Sequence, residues 1–219
     1  MTNIRIDFHV HTAASKDSLT SPEELISACR HKGLDRVVVT DHNTLSGARA
    51  ARALDPDLVI IGEEIMTNRG EILAAYVSEE IPPKLSPQET IRRLRGQGAF
   101  ISVSHPFDAW RSGGWQLNDL MEIGPFLDAI EVFNARCLVP HFNHRARDFA
   151  RWQGLASTAG SDAHAAFEVG AGSVVLPAFD GADELRRVIR KGRVLGRLSP
   201  FWVHFASRYA NLRKRLGYN

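Results

Sequence analysis

Short apolar runs with a two-residue alternation and amphipathic segments with a helical period succeed one another along the whole chain, as expected of strands connected by helices. The first run, I-R-I-D-F-H-V-H over residues 4–11, reads as a strand with Asp7, His9 and His11 on one face and Ile6, Phe8 and Val10 on the other. S-P-E-E-L-I-S-A-C-R-H-K-G then predicts a helix, with Ser21 as N-cap, Pro22 at the first position, Glu24 completing a capping box and Gly33 as the stop. R-V-V-V-T is a second strand ending on Asp41-His42, S-G-A-R-A-A-R-A-L a short helix, and L-V-I-I-G a third strand ending on Glu63-Glu64. The turn N-R-G leads into E-I-L-A-A-Y-V, a strand beside the third, and S-P-Q-E-T-I-R-R-L-R-G-Q-G repeats the cap-and-stop grammar of the first helix. F-I-S-V-S delivers His105-Pro106, D-A-I-E-V-F-N is another strand, H-F-N-H-R-A-R-D-F-A-R-W a helix, and L-A-S-T-A-G-S-D-A-H a strand ending in Asp162 and His164. S-V-V-L, G-A-D-E-L-R-R-V-I-R-K-G and the stretch from Phe201 to Leu216 close the chain as a strand, a crossover helix and a terminal helix. The turn-rich stretch from Pro106 to Gln116 is expected to be a mobile loop.

Strands and helices of these lengths imply parallel βα units, and roughly seven of them make a closed or nearly closed barrel whose chemistry lies at the C-terminal strand ends. The polar residues collect there. His9, His11, His42, Glu64, His105, Asp162 and His164 all end apolar strands, and Asp17 follows just beyond the first, so that five of the nine histidines share one rim. Two imidazoles two residues apart on a strand are roughly 6–7 Å apart at Cα, close enough to hold one ion, and neutral imidazole is the commonest metal ligand in proteins. Buried together without a cation, these groups would be costly to desolvate. Shared divalent metal is the economical explanation. The remaining histidines, His31, His141, His144 and His204, fall on helices or loops.

Length and charge refine the picture. At 219 residues and 44% hydrophobic, the chain suits one core, a single domain over residues 1–219. The net charge of +2 hides an asymmetry: residues 185–219 carry ten Lys/Arg and no Asp/Glu, which leaves 17 basic and 25 acidic residues before them, a formal −8. The basic segment, about 198–219, is expected to be an amphipathic helix packed on the barrel, or on a partner subunit in a homo-oligomer, through Phe201, Phe205, Tyr209 and Leu212 with Trp202 beside them. Arg208, Arg213, Lys214 and Arg215 would stay solvated, where they allow a nucleic-acid partner. No apolar run approaches the ~20 residues needed to span a bilayer, and the polar start M-T-N-I-R-I-D-F lacks signal-peptide features. A cytoplasmic protein without membrane contact is expected. Cys29 and Cys137 lack the spacing of a zinc site or disulfide framework and read as packing residues.

H-V-H-T followed by Asp17, then T-D-H, G-E-E, S-H-P, E-V-F-N and G-S-D-A-H, occur in this order between Ile4 and about Arg193. Together they resemble the PHP (polymerase and histidinol phosphatase) family. The resemblance implies a distorted (β/α)7 barrel, here with an additional C-terminal helix, and two to three divalent metal ions (Mn²⁺, Zn²⁺ or Fe²⁺). It implies that His9 and His11 hold one metal, that Glu64 bridges it to a second held also by His105, that Asp17, His42 and His164 hold a third, and that Asp162 bridges from the seventh strand. Pro106 and Asn134 match the motifs without ligating. One position departs: many relatives carry a histidine where this chain has Glu71. Glu71 is either a carboxylate ligand in its place or a solvent-facing strand residue. Asp7 and Asp41 are expected to support the ligands.

The activity implied is phosphoester hydrolysis by a phosphatase or phosphodiesterase, because bound metals lower the pKa of water from 15.7 toward about 7 and leave a cationic site that favours phosphate. Arg136, just after Asn134, is the first candidate for a phosphate clamp, with His141 and Arg145 as further ones. The substrate expected is a phosphorylated small molecule or a nucleotide. The alternatives are an exonuclease or oligonucleotide-processing enzyme, a histidinol-phosphate phosphatase, and a metal-binding module without catalysis, against which the nearly complete ligand set argues.

Overall fold

A computed structural model describes residues 2–111 and 113–217. The chain runs β1 (Asn3–Val10), α1 (Pro22–His31), β2 (Arg36–Val39), α2 (Ser46–Leu54), β3 (Val59–Met66), β4 (Glu71–Ala75), α3 (Pro87–Gly96) and β5 (Phe100–Val103). It continues through α4 (Leu117–Ile123), β6 (Ala129–Asn134), α5 (Pro140–Gln153), β7 (Ala156–Gly160), β8 (Gly172–Pro177), α6 (Gly181–Val188), β9 (Arg193–Gly196) and α7 (Val203–Arg215). Capping starts the helices where the sequence places them. Ser21 Oγ accepts from Glu24 N at 3.2 Å while Glu24 Oε2 accepts from Ser21 N at 2.9 Å, and Ser86 Oγ accepts from Glu89 N at 3.2 Å at the head of α3. None of the described helices is long and apolar enough to cross a membrane.

The strands form a curled α/β half-barrel: a seven-stranded sheet in the order β5-β4-β3-β2-β1-β8-β9, with β6 and β7 as a separate parallel pair. Within the large sheet only the β1–β2 and β2–β3 pairs are parallel; β4 and β8 run antiparallel to both of their neighbours, and β9 pairs antiparallel with β8. This corrects the expectation of parallel βα units throughout. The connections explain the difference, since parallel pairing needs a crossover of a dozen residues or more. The short turn at Asn68–Gly70 can only fold β4 back on β3 as a hairpin. The 161–171 connection holds only a short 3₁₀ turn, too little to carry a covering helix. β1 therefore forks. Its first half pairs with β8, while its end bonds to the segment after β7 through Asp162 N to His9 O at 2.7 Å and His11 N to Ala163 O at 2.9 Å.

The fork coincides with a register shift in β1 between Asp7 and Val10. Ile6 and Phe8 pack with Val38, Ile60 and Phe100, whereas Val10 packs with Leu25, Cys29, Val37 and Val39 on the other side. Asp7 pairs with Val37 and so lies on Val10's side. A strict alternation puts Asp7 with His9; the bulge breaks it, re-aiming side chains as such irregularities do at active sites. Asp7 thus backs the site from outside, accepting from Ser161 N (2.9 Å), Ser161 Oγ (2.5 Å) and Gly170 N (2.9 Å).

Within the turn-rich stretch after β5, expected to be mobile, Phe107, Asp108 and Trp115 are buried while Trp110 is exposed, and Trp115 Nε1 donates to Glu71 O at 3.0 Å. The helix α7 does lie on the barrel, but through Val203 and Ala210, while Phe201, Trp202, Phe205, Tyr209 and Leu212 face solvent. Small residues let the helix approach closely, and polar ties hold it. Arg136 donates to Val203 O at 3.3 Å and to Ser207 Oγ, and Lys214 Nζ donates to Ala13 O at 2.5 Å and Ser15 O at 2.6 Å. Lys214 is therefore not solvated as expected.

β3 carries two glutamates with opposite directions. Glu63 accepts from Ile81 N at 3.1 Å, and burial pushes its carboxyl up to about 8 from 4.5. A carboxyl whose folded pKa is raised stabilises fully below its unfolded value and loses that contribution as pH rises through the folded value. Stability is thus expected to fall between about pH 4.5 and 8 through this group, and Glu63→Gln should flatten that part of the curve. The variant should gain on the order of 3 kcal/mol over wild type between pH 5 and 9, read from denaturant midpoints. Parallel curves for the two proteins would contradict it.

Candidate metal centre

Every strand end that the motifs mark contributes to one cluster. His9 Nε2 lies 3.0 Å from His11 Nε2, and both lie 3.4 Å from Glu64 Oε2. Asp162 Oδ1 reaches His11 Nε2 at 3.4 Å and His9 Nε2 at 3.6 Å. On one flank, His42 Nδ1 lies 3.0 Å from Glu64 Oε2, and Asp17 spans His42 and His164 with contacts of 3.6 and 3.4 Å. On the other, His105 Nε2 sits 3.3 Å from Glu64 Oε1 and 3.4 Å from Glu71 Oε2. Three overlapping donor groups result: His9, His11 and Glu64; His11, His42 and His164; His42, Glu64 and Glu71. Glu71 is buried inside this cluster, so the solvent-facing alternative does not hold.

The backbone is strained where it delivers two of these groups. His105 has φ 25° and Asp162 φ 54°, conformations that residues with a Cβ adopt at a cost of ~1–3 kcal/mol and mostly at functional sites. Gly160 permits a close approach: a Cβ there would collide with His9 Cβ and crowd Glu131 Oε1 at 2.8 Å.

Hydrogen bonds behind the cluster orient the imidazoles. His9 Nδ1 lies 3.1 Å from Glu131 Oε1, His11 Nδ1 3.1 Å from Ser15 Oγ, and His164 Nδ1 2.8 Å from Asp162 O. Each pairing places the proton on Nδ1 and leaves Nε2 as the free donor atom facing inward. Ser15 Oγ gives its own proton to Asp41 Oδ1 at 2.6 Å, and Asp41 also accepts from Thr12 N and Oγ1 at 2.8 and 2.7 Å. Asn134 Nδ2 donates to Glu131 Oε2 and Asp162 Oδ2, both at 3.1 Å.

Electrostatics show what the cluster attracts. Burial works against charge on His9, yet Glu64, Asp162 and Glu131 hold its pKa well above the ordinary value; Glu64 and Asp17 do the same for half-buried His42. His11 goes the other way, lowered to about 3 by burial and by His164 and His42, which leaves its imidazole neutral. Glu64 and Asp162, though buried, are held well below the carboxylate range by His9, His42 and Arg111. Burial and the Glu64 charge raise Glu71. Asp17 Oδ1, Glu64 Oε1 and Asp162 Oδ1 are buried without a hydrogen-bond partner. Buried oxygens of this kind require an explanation, and a divalent cation among imidazole and carboxylate donors supplies it.

Asp17, His42, Glu71, His105 and His164 of the cluster line a groove of about 680 Å³, with Lys16, Trp110, Arg111, Leu138, His204 and Arg208 also on its walls. Arg136 also borders it, but its guanidinium is buried and tied to α7, with Nε 3.4 Å from Glu168 Oε2. His141 is exposed on α5 and is not among the groove-lining residues, and Arg145 lies over the Phe107 ring, 4.6 Å from its centre. Glu131, Ser15 and Arg111 are the residues that sequence reasoning missed. Glu131 had a signal, a carboxylate inside the apolar run A-I-E-V-F. Arg111, which pairs with Asp162 Oδ2 and with Asp108 Oδ2 at 3.3 Å, had none, because it sits in an aperiodic turn segment.

Comparison with known proteins agrees with this geometry. Residues 7–81 match the PHP domain model, and residues 140–194 match the PHP-associated region that accompanies it. Two uncharacterized proteins of Methanocaldococcus jannaschii are similar. MJ1587 is 35% identical over 146 residues, 60% of this chain and 82% of that one. MJ0417 is 37% identical over 170 residues, 76% and 68%. Among solved structures, PsfC from Pseudomonas syringae superposes with a TM-score of 0.70 at 18% identity over 99% of both chains. A Bifidobacterium adolescentis protein assigned as a metal-dependent phosphoesterase gives a TM-score of 0.61 at 18% identity over 74% of this chain and 88% of that one. With its motifs, donor cluster and relatives in agreement, the chain belongs to the PHP family.

Proposed function

We propose that this chain is a metal-dependent phosphoesterase that hydrolyses a phosphate ester of a small metabolite or nucleotide. The observation that carries the reading is the convergence of three unpartnered carboxylate oxygens, on Asp17, Glu64 and Asp162, with five imidazoles in one buried cluster that meets a groove through Asp17, His42, Glu71, His105 and His164. His9, His11 and Asp162 would hold one ion, His105 and Glu71 a second, and Asp17, His42 and His164 a third, with Glu64 shared. The donors suit Mn²⁺, Zn²⁺ or Fe²⁺. Bound there, such ions supply Lewis acidity toward a phosphoryl oxygen and a water of lowered pKa. The chain itself supplies the rest. Lys16, Arg111 and Arg208 on the groove walls would hold phosphoryl oxygens, and Trp110 and Leu138 offer apolar surface to the leaving group.

Protein purified without chelators is expected to carry two to three transition-metal ions and to hydrolyse members of a phosphoester panel in a chelator-sensitive way. Well under one ion per chain, with no gain on reconstitution, would overturn the reading. The basic wall that α7 adds to the groove keeps an oligonucleotide substrate as the second reading. Release of mononucleotides from an oligonucleotide in preference to phosphate from mononucleotides would put it first.

Glu71 tests the site locally. Glu71→Gln should weaken one metal site, because an amide replaces an anionic donor beside His105, whereas Glu71→His should keep metal and activity. Metal titration distinguishes them. Equal metal content and turnover in wild type and Glu71→Gln would remove Glu71 from the ligand set.

A further inference from the structure

The outward face of α7 has no covering element, and its size sets it apart. Phe201, Trp202, Phe205, Tyr209, Leu212 and Leu216, with the neighbouring Phe167, are each 48% to 68% exposed. Trp202 and Phe167 are tilted neighbours with ring centres 5.3 Å apart, and Phe201 meets Phe205 edge-on at 6.4 Å, so aromatic rings adjoin along this face. Side chains of this size bury about 150–250 Å² each, so seven of them a little over half exposed present on the order of 700–800 Å². That exceeds the ~300–600 Å² of the largest patch on a typical monomer and matches the ~800 Å² per partner of a standard interface. Its make-up is that of an interface centre: aromatics and leucines with Arg215 beside them, and no Lys or acidic residue on the exposed stripe.

Charge identifies the occupant. Close to this stripe stand exposed Glu23 and Glu24 at the start of α1. Glu24 shares a groove with Tyr209 and Ala210, and both glutamates share another with Phe167. A phosphate-bearing surface would meet repulsion from these carboxylates, and Lys214, which could have served it, is turned inward onto Ala13 O and Ser15 O. A second copy of the same face fits, because a two-fold contact can bring Arg215 of each α7 to the glutamates of the other α1.

We infer that the outward face of α7, together with the start of α1, is an isologous dimer interface of this protein. The dimer would also brace the site. The inner face of the same helix carries Ser207, bonded to Arg136, and Lys214, which ties down the loop leading to Asp17.

Sedimentation velocity on the full chain tests the proposal. Wild type is expected to be dimeric at micromolar concentration. Phe205→Asp with Leu212→Asp should weaken dimerisation at least ~30-fold, the loss typical of interface hot spots, with an unchanged circular-dichroism spectrum. Both positions point to solvent, so folding should survive. Glu23→Arg and Arg215→Glu should each weaken the dimer, and the double exchange should restore it. A monomeric wild type, a double aspartate variant that stays dimeric, or a charge exchange without rescue would overturn the proposal. So would a monomer that binds anionic phospholipid vesicles or single-stranded oligonucleotide through this face.

Discussion

Replacing His9 by Ala, or Asp162 by Asn, is expected to lower phosphoesterase turnover at least ~10²–10³-fold, the effect of losing ~3–4 kcal/mol of transition-state stabilisation. The two substitutions remove different things. His9→Ala deletes an imidazole that touches His11, Glu64 and Asp162 and removes the partner of Glu131 Oε1. Asp162→Asn changes one oxygen to an amide and little else. Arg111 and Asn134 hold Oδ2, and Oδ1 is the unpartnered atom facing the histidines. Asn tolerates the left-handed backbone at φ 54° better than most residues, so this variant should fold. A folded Asp162→Asn protein that binds fewer ions and turns over slowly is therefore the informative result. Near-native turnover in either folded variant, with rates and metal content read together, would contradict the proposed site.

The parts of this structure legible in the sequence were those governed by local rules. Caps at Ser21 and Ser86 began their helices on the residues indicated, and the strand-end motifs did converge. The illegible parts depended on tertiary pairing. The bulge in β1 moved Asp7 to the outer face because pairing with β8 and with the segment after β7 competes along one strand. β9 is four partly exposed residues at a sheet edge, and α4 begins at Gln116 without a side-chain cap, so neither announced itself. The apolar stripe of α7, expected to pack on the barrel or on a partner subunit, faces solvent. Periodicity cannot tell a stripe that packs on its own domain from one that does not, and here Val203 and Ala210 on the opposite side made the contact. Arg136 followed Asn134 as a clamp candidate should, yet its guanidinium serves α7.

Glu131→Gln is the second substitution expected to act strongly, although Glu131 belongs to none of the proposed ligand groups. Its Oε1 pairs with His9 Nδ1 at 3.1 Å, and its Oε2 accepts from His105 N at 2.7 Å and Asn134 Nδ2 at 3.1 Å. One buried carboxylate thus sets the tautomer of His9, holds the backbone of His105 at φ 25°, and aligns the amide that steadies Asp162. A glutamine has a single oxygen and must turn its NH₂ toward one set of these donors. Facing His9, it forces the proton onto the inward nitrogen; facing His105, it leaves a buried N–H unmade, at ~1–3 kcal/mol, where the backbone is already strained. Losses of roughly 10–100-fold in metal affinity are typical when a ligand's supporting partner is removed. Because His9 and His105 lie in different donor groups, both should weaken. Competition with a chelator should therefore show two sites loosened in Glu131→Gln but one in Glu71→Gln. Native affinity at both sites in a folded Glu131→Gln protein would show that the imidazoles are oriented by something other than this carboxylate.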